Sequence, residues 1–236
     1  TRREVGLHRN YRAGKRNDQR SLAMFVVKTK NKIMGNLVTN SLKARSLDIT
    51  PCETSDVRLF IETHHYSKSI NGVKITQCFK IKHGDELVGA VLFGQLSTTA
   101  WKKFGDTESE VLELRRLVLL DKCGKNSESR VIGYCLRWLR NHLPSIKKIV
   151  SYADPMYGHE GVIYRASNFT MVGVTPDDKG FYDPDTGKTY HSRAMRTKYK
   201  GDYKPFVKRL RAKLEAGLLV EKVLKGKFCY VYDLTL

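Results

Sequence analysis

The segment that most constrains the fold is residues 127–143, an amphipathic helix set between strand-like apolar runs at 112–120 and 146–152. Ile132, Cys135, Leu136 and Leu139 recur at the spacing that lines one helical face, and such a stripe must be buried against something. Asn126 or Ser127 can cap its start, and Pro144 closes it. On either side the period changes. Ser46-Leu47-Asp48-Ile49 alternates as a strand does, and Thr54 or Ser55 can cap a helix carrying Val57, Leu59, Phe60, Ile61 and His64. Strand-like runs at 75–81 and 87–93 flank His83-Gly84-Asp85-Glu86 and predict a hairpin. Residues 159–168 predict a short helix and 169–174 a strand. A second hairpin turns at Asp183-Pro184-Asp185-Thr186-Gly187. A basic helix over 204–216 stops at Gly217, and a final hairpin turns near Lys225-Gly226-Lys227. Strands alternating with helices predict one α/β (α+β) domain over residues 46–236, a mixed central sheet flanked by helices with hairpins at the C-terminal end. Residues 1–45 read as a basic N-terminal extension, with one short strand-like run at 22–27.

Charge is distributed unevenly. The chain carries a formal +19; residues 1–50 hold +9, residues 51–185 only +1, and residues 186–227 hold +10. Two basic segments flanking a nearly neutral body attract polyphosphate, and nucleic acid is the commonest such partner. On the helix at 204–216, Lys208, Arg209 and Arg211 are candidate phosphate contacts. Five scattered cysteines without a CxxC pair argue against a disulfide framework or a zinc cluster and for a reducing cytoplasm. No run of about 18 apolar residues suits a membrane span, and the basic start is followed by no apolar stretch of the secretory kind.

Three short blocks carry chemistry. Lys125-Asn126-Ser127-Glu128-Ser129-Arg130 opens the best helix, and helix N-terminal N–H groups with Ser hydroxyls and an Arg suit a phosphate, although capping alone would also explain the serines. No Walker-type GxxxxGK[ST] loop is present. Ser151-Tyr152-Ala153-Asp154-Pro155 puts a carboxylate at the end of a strand, where ligands gather in open α/β sheets, with His159 and Tyr164 close behind. His64-His65-Tyr66-Ser67 ends the first helix and offers an imidazole and a phenol for acid–base work. Asp154, His65 and His159 together are a candidate iron or zinc set, although no single segment has metal-ligand spacing.

These blocks resemble the phage Mu Mom-type DNA modification proteins, through Glu113-Leu114-Arg115-Arg116-Leu117, Lys125-Asn126-Ser127-Glu128-Ser129-Arg130, Ser151-Tyr152-Ala153-Asp154, Gly158-His159, Ile163-Tyr164 and Ala166-Ser167-Asn168-Phe169. His65-Tyr66-Ser67 matches upstream, and the resemblance covers residues 46–235. The order of strands and helices also resembles the GNAT acyltransferase superfamily. What the resemblance implies is a GNAT-like enzyme that places a methylcarbamoyl or carbamoylmethyl group on adenine N6 in double-stranded phage DNA, in the host cytoplasm, shielding it from restriction endonucleases. It implies Tyr66 and Asp154 as the catalytic pair with His65 beside them. Arg116, Ser127, Ser129 and Arg130 would hold the activated donor, and Tyr164 and His159 would lie on the substrate side. The usual acetyltransferase pyrophosphate loop is missing, and only Arg130-Val131-Ile132-Gly133 matches its first half. The donor is therefore either acetyl-CoA or an aminoacyl carrier such as tRNA, and the family has a link to iron. Two rival readings are an N-acyltransferase acting on tRNA or a small amine, and a basic nucleic-acid-binding protein without catalysis.

Overall fold

Residues 88–94 (VGAVLFG) are buried without a break, which requires a strand covered on both faces. The computed structural model, which describes residues 42–236 apart from Asn71, Val73 and Thr98, provides that cover. Its strands are β1 (Asp48–Cys52), β2 (Ile75–His83), β3 (Glu86–Gln95), β4 (Val111–Leu119), β5 (Lys148–Ala153), β6 (Thr170–Val174), β7 (Asp178–Asp183), β8 (Lys188–His191), β9 (Lys198–Tyr199), β10 (Asp202–Tyr203), β11 (Val220–Leu224) and β12 (Phe228–Asp233). Its helices are α1 (Thr54–His64), α2 (Ser127–His142), the single turn α3 (Val162–Arg165) and α4 (Pro205–Glu215). The basic arm expected over residues 1–20 and the run at 22–27 lie outside the described residues. Residues 42–45, read from sequence as part of the extension, are tied to the body: Leu42 bridges Cys123, donating to Lys122 O at 2.8 Å and accepting from Gly124 N at 2.8 Å.

Seven strands form the main sheet in the order β1-β2-β3-β4-β5-β12-β6. On one face α1 sends Val57 and Ile61 onto Cys78, Ala90 and Leu92. On the other, α2 packs Val131, Ile132, Cys135, Leu136 and Leu139 against Phe79, Ile81, Val91, Phe93, Leu112 and Leu114. Val131, Ile132 and Leu139 are 0% exposed, and each such side chain contributes roughly 1.5–3 kcal/mol of burial. This is the mixed α/β sheet flanked by helices that the sequence predicts. Strands β4 and β5 run parallel and pair only from Val111↔Lys148 to Glu113↔Val150. Past that point the last bond across the gap is Ser151 Oγ to Leu114 O at 3.3 Å, and the strands part into a wedge.

The final hairpin expected at Lys225-Gly226-Lys227 is not a hairpin. Strand β11 pairs with β7 in a separate sheet of order β11-β7-β8, whereas β12 pairs with β5 and β6 in the main one. Residues 225–227 and 175–177 are the crossing where this two-stranded ribbon passes between sheets. Thr175 N donates to Lys227 O at 2.9 Å, Lys227 N to Thr175 Oγ1 at 2.8 Å and Gly226 N to Asp177 Oδ1 at 2.8 Å. A Cβ on Gly226 would stand 1.8 Å from Thr175 O, so only glycine lets the two backbones come this close. Helix α4 covers the small sheet with Val207 and Leu210, the latter clustering with Phe181, Met195 and Leu219.

Two smaller expectations are corrected, and of the two N-caps offered for α2 the structure takes Asn126. The N-cap of α1 is Glu53, because Thr54 is already helical and its hydroxyl meets Cys78 Sγ at 3.4 Å. Asn126 caps α2 in a left-handed conformation without a side-chain bond, and Ser127 is an interior residue of the first turn. The helix expected over 159–168 shrinks to one turn, since Gly158 and Gly161 both take positive φ before it.

Candidate active site

The sequence LELRRLVL of β4 breaks simple alternation, and the ladder shows why. Leu92 pairs with Arg116 and Phe93 with Leu114, so Arg115 is an extra residue, a β-bulge. Leu112 and Leu114 before it and Leu117 and Leu119 after it all pack on the α2 side. The inserted residue reverses the alternation and sends Glu113, Arg115 and Arg116 to the opposite face, where they line a cleft of about 1370 Å³. Arg115 Nη1 donates to Glu113 Oε2 at 2.6 Å. Arg116 donates through Nε and Nη2 to Ser69 O at 3.3 and 3.2 Å and through Nη1 to Arg115 O at 2.7 Å. It thereby clips the segment after α1 onto β4.

That segment carries His65 and Tyr66. Ser67 N, which can only donate, bonds His65 Nδ1 at 3.1 Å, and Ser67 Oγ lies 2.8 Å from the same atom. Nδ1 is therefore an acceptor, and the proton of the neutral ring sits on Nε2. Burial, helped by the Arg116 charge and by His159, pulls His65 down to about 4, so near neutral pH it is a donor into the cleft and not a base. Burial also raises the Tyr66 hydroxyl above the usual phenol value; Arg116 opposes this while Asp154, Tyr157 and Glu113 reinforce it. Tyr66 keeps its proton and can lend it.

Asp154 follows directly on β5, whose last residue Ala153 pairs with Phe228 of β12. Pro155 forbids helical geometry before it, and Asp154 caps the turn Pro155–Tyr157 with Oδ1 accepting from Met156 N at 3.0 Å. Its Oδ2 lies 2.8 Å from Lys227 Nζ, delivered from the crossing between the two sheets. The same turn places Tyr157 over Tyr66, ring centroids 4.5 Å apart, with His159 5.3 Å and His65 4.2 Å from the Tyr66 ring. Tyr66 is 45% and Tyr157 58% exposed, an unusual surface for a cluster of aromatic rings. Gly161 follows at φ +74 because the wholly buried Tyr230 ring would lie 2.3 Å from any Cβ there. Behind it Tyr164 is buried against Phe169 and Tyr230, and burial raises its hydroxyl also.

His65, Tyr66, Arg116, Asp154, His159 and Tyr164 thus meet in one cleft, whose far wall is the small sheet with Asp178, His191 and Arg193. The other sequence candidates lie elsewhere. Ser127 is 0% exposed and its Oγ has no partner among the described residues. Ser129 bonds Asn126 O at 3.1 Å and borders a separate cavity of about 200 Å³ with Arg137, Arg140 and Ser167. Arg130 is exposed and lines neither cavity. Lys208, Arg209 and Arg211 sit on α4, outside the cleft lining; Lys208 pairs with Asp202, and Arg211 lies 4.7 Å over the Tyr203 ring. Sequence reasoning missed Glu113, Tyr157 and Lys227. Tyr157 follows Asp154-Pro155 so closely that a turn there could have marked it, whereas nothing in the sequence links Lys227 to Asp154.

Among the described residues no three His, Cys, Asp or Glu side chains are grouped so as to hold a metal ion. Asp154 is occupied by Lys227 and Met156 N, and His65 Nδ1 by Ser67, so the donor set does not fit the iron that the resemblance implies. Nor is any described helix long and apolar enough to cross a membrane.

Comparison with known proteins agrees with the motif blocks. The methylcarbamoylase Mom of Escherichia phage Mu is 33% identical over 147 residues, which make up 61% of this chain and 59% of that protein. The match thus spans about three-fifths of the curated relative. Similar solved structures include the putative acetyltransferase yncA of Salmonella typhimurium with acetyl-CoA, at TM-score 0.46 and 8% identity over 80% of this chain and 94% of that one. Another is a Bacillus subtilis acetyltransferase in complex with CoA, at TM-score 0.44 and 12% identity over 79% and 98%. The pattern that defines the Mom protein family matches residues 46–235, from the first strand of the main sheet to its last, and the chain belongs to that family.

Proposed function

We propose that this protein transfers a small carbonyl-bearing group of the methylcarbamoyl type to the N6 amine of adenine in double-stranded DNA, in the host cytoplasm, protecting that DNA from restriction. The observation that carries this reading is the exposed ring cluster of Tyr66, Tyr157 and His159 beside the buried carboxylate of Asp154 and the anchored guanidinium of Arg116. A ring platform next to a hydrogen-bond acceptor suits a planar base with an exocyclic amine. A paired adenine cannot reach it, so the base must leave the helix at a cost of roughly a few kcal/mol. Stacking on Tyr157 and Tyr66 offsets part of that cost.

In the cleft Asp154 accepts a hydrogen bond from N6–H and orients the amine. His65 Nε2–H and the Tyr66 hydroxyl are donors toward a developing oxyanion or a departing group, and Arg116 adds positive charge to the same wall. The β-bulge at Arg115 interrupts the β3–β4 register, and a backbone N–H freed there would serve a carbonyl oxygen in the same way. The wedge between β4 and β5 accommodates the arm of an activated carrier, a CoA thioester or an aminoacyl carrier such as tRNA, which supplies the activated carbonyl. Ser129 with Arg137 and Arg140 around the small cavity would hold the carrier's phosphates. Mass spectrometry of nucleosides from the DNA of cells expressing the protein tests the reading. Deoxyadenosine of increased mass is expected, and unmodified adenine in DNA from cells containing folded protein refutes it.

A further inference from the structure

We propose that Glu113 is the proton acceptor in this transfer and that Asp154 is its orienting partner, a division of labour that rests on the function proposed above. Asp154 is ill placed to take a proton. One of its oxygens accepts from Met156 N, the other faces the Lys227 ammonium, and protonation would break that ion pair and loosen the turn that carries Tyr157. Glu113 stands free of such a turn. It projects from β4, two residues before the bulged Arg115, into the same cleft. It shares electrostatic neighbours with Asp154: both carboxylates raise the Tyr66 hydroxyl, and the Lys227 charge that pairs with Asp154 also acts on Glu113. Among the described residues its ion-pair partner is Arg115, and the Glu113 and Arg115 side chains are only 16% and 18% exposed. Burial raises the Glu113 carboxyl above the usual range, more than Arg115 and Arg116 pull it down.

The step balances. The N6 lone pair forms a bond to the carbonyl carbon of a methylcarbamoyl group held as an ester or thioester on the carrier, and the carbonyl π pair moves onto oxygen. Nitrogen, now positively charged, gives one proton to Glu113. The oxygen pair then re-forms the carbonyl, the bond from carbon to the carrier heteroatom breaks, and the carrier leaves with the proton that Glu113 holds.

The experiment uses purified full-length protein, duplex DNA and host-cell extract as donor source, with modified adenine read by mass spectrometry. Glu113→Gln is expected to melt and bind DNA as wild type does, yet to lose about 10²-fold or more of its rate. Glu113→Ala is expected to regain at least about tenfold when 100 mM formate supplies a small base in the vacated space, a gain that a merely structural role would not give. Asp154→Asn, which keeps an acceptor oxygen, should lose less than Glu113→Gln and gain nothing from formate. Should Glu113→Gln melt early because it strands the Arg115 guanidinium, the double variant Glu113→Gln/Arg115→Met replaces it. A folded Glu113→Gln within about threefold of wild type overturns the proposal, as does a Glu113→Ala loss that formate leaves untouched. In both cases an active wild type leaves the proposed function standing, whereas an inactive wild type in active extract overturns that function and the Glu113 role with it.

Discussion

Truncating Tyr157 isolates the recognition of an extruded base from the chemistry that follows. The ring is 58% exposed and one of its faces already meets Tyr66 at 4.5 Å, so a base can use only the remaining face. Base–aromatic stacking is worth about 1–3 kcal/mol, and the half-occupied ring places Tyr157 in the lower part of that range, near 1–2 kcal/mol. At 1.4 kcal/mol per decade this is roughly a 5- to 30-fold loss of affinity. The fold should hardly notice, because an exposed side chain away from the core changes stability by no more than about 0.5 kcal/mol. The assay is a fluorescence titration of a duplex carrying 2-aminopurine opposite a mismatched base. Tyr157→Ala should weaken binding by that factor and reduce the fluorescence change, Tyr157→Phe should remain within about twofold of wild type, and melts of all three should coincide. Binding by Tyr157→Ala within twofold of wild type would refute the stacking role.

Gly226→Ala should force the crossing apart, because its Cβ would stand 1.8 Å from Thr175 O; overpacking of this kind costs about 1–3 kcal/mol, and differential scanning calorimetry should show a drop of roughly 2–4 °C for each of them. Arg209→Glu on the exposed side of α4 should lower the slope of log affinity against log salt by about one unit with no change in melting. Lys213→Glu should instead lower the melting temperature, since Lys213 Nζ holds Asp183 at 2.9 Å and Asp185 at 2.8 Å. His65 adds a pH dependence to folding. An unfolded histidine takes a proton near pH 6.5, whereas the buried ring resists to about 4, so this stabilisation is whole above 6.5 and is lost as pH falls through 4. Its span is on the order of 3 kcal/mol, and His65→Asn, which keeps an acceptor for Ser67 N, should flatten that part of the urea-stability profile.

How far the sequence could be read depended on whether one element decided the question alone. The α2 stripe and the β2–β3 hairpin are local patterns, and the structure places them within a residue or two of expectation. The bulge at Arg115 is not local: Leu-Glu-Leu-Arg-Arg-Leu-Val-Leu looks like an irregular strand until the pairing with β3 shows that one residue is extra. Lys225-Gly226-Lys227 failed in a different way. Gly between polar residues signals a sharp change of direction in either outcome, and only the partners of the flanking strands decide between reversal and crossing. Hence Lys227 could not be joined to Asp154 in advance. His65, Tyr66, Arg116, Asp154 and Tyr164 could be named through motif blocks, yet why they converge becomes clear only from the Arg116 clip on Ser69 and the turn at Pro155.

The same distinction governs the charge. Residues 186–227 contain thirteen cations and look like a uniform phosphate-binding surface. In the folded chain Lys208, Lys213, Lys225 and Lys227 are ion-paired, and Lys198, Lys200, Arg211 and Lys222 lie over aromatic rings. Lys188, Arg193, Arg196, Lys204 and Arg209 have neither kind of partner among the described residues, and of these Arg193 lines the cleft. Five free cations limit this segment to a salt slope of about 4–5 units, not the nine or so that its net charge suggests. The exposed Lys208 pair could exchange its carboxylate for a phosphate at a cost of less than about 1 kcal/mol. Lys227 could not do so without releasing Asp154. Within this segment Lys227 therefore orients a carboxylate of the proposed site, and grip on the DNA falls to residues at the rim of the cleft and beyond it.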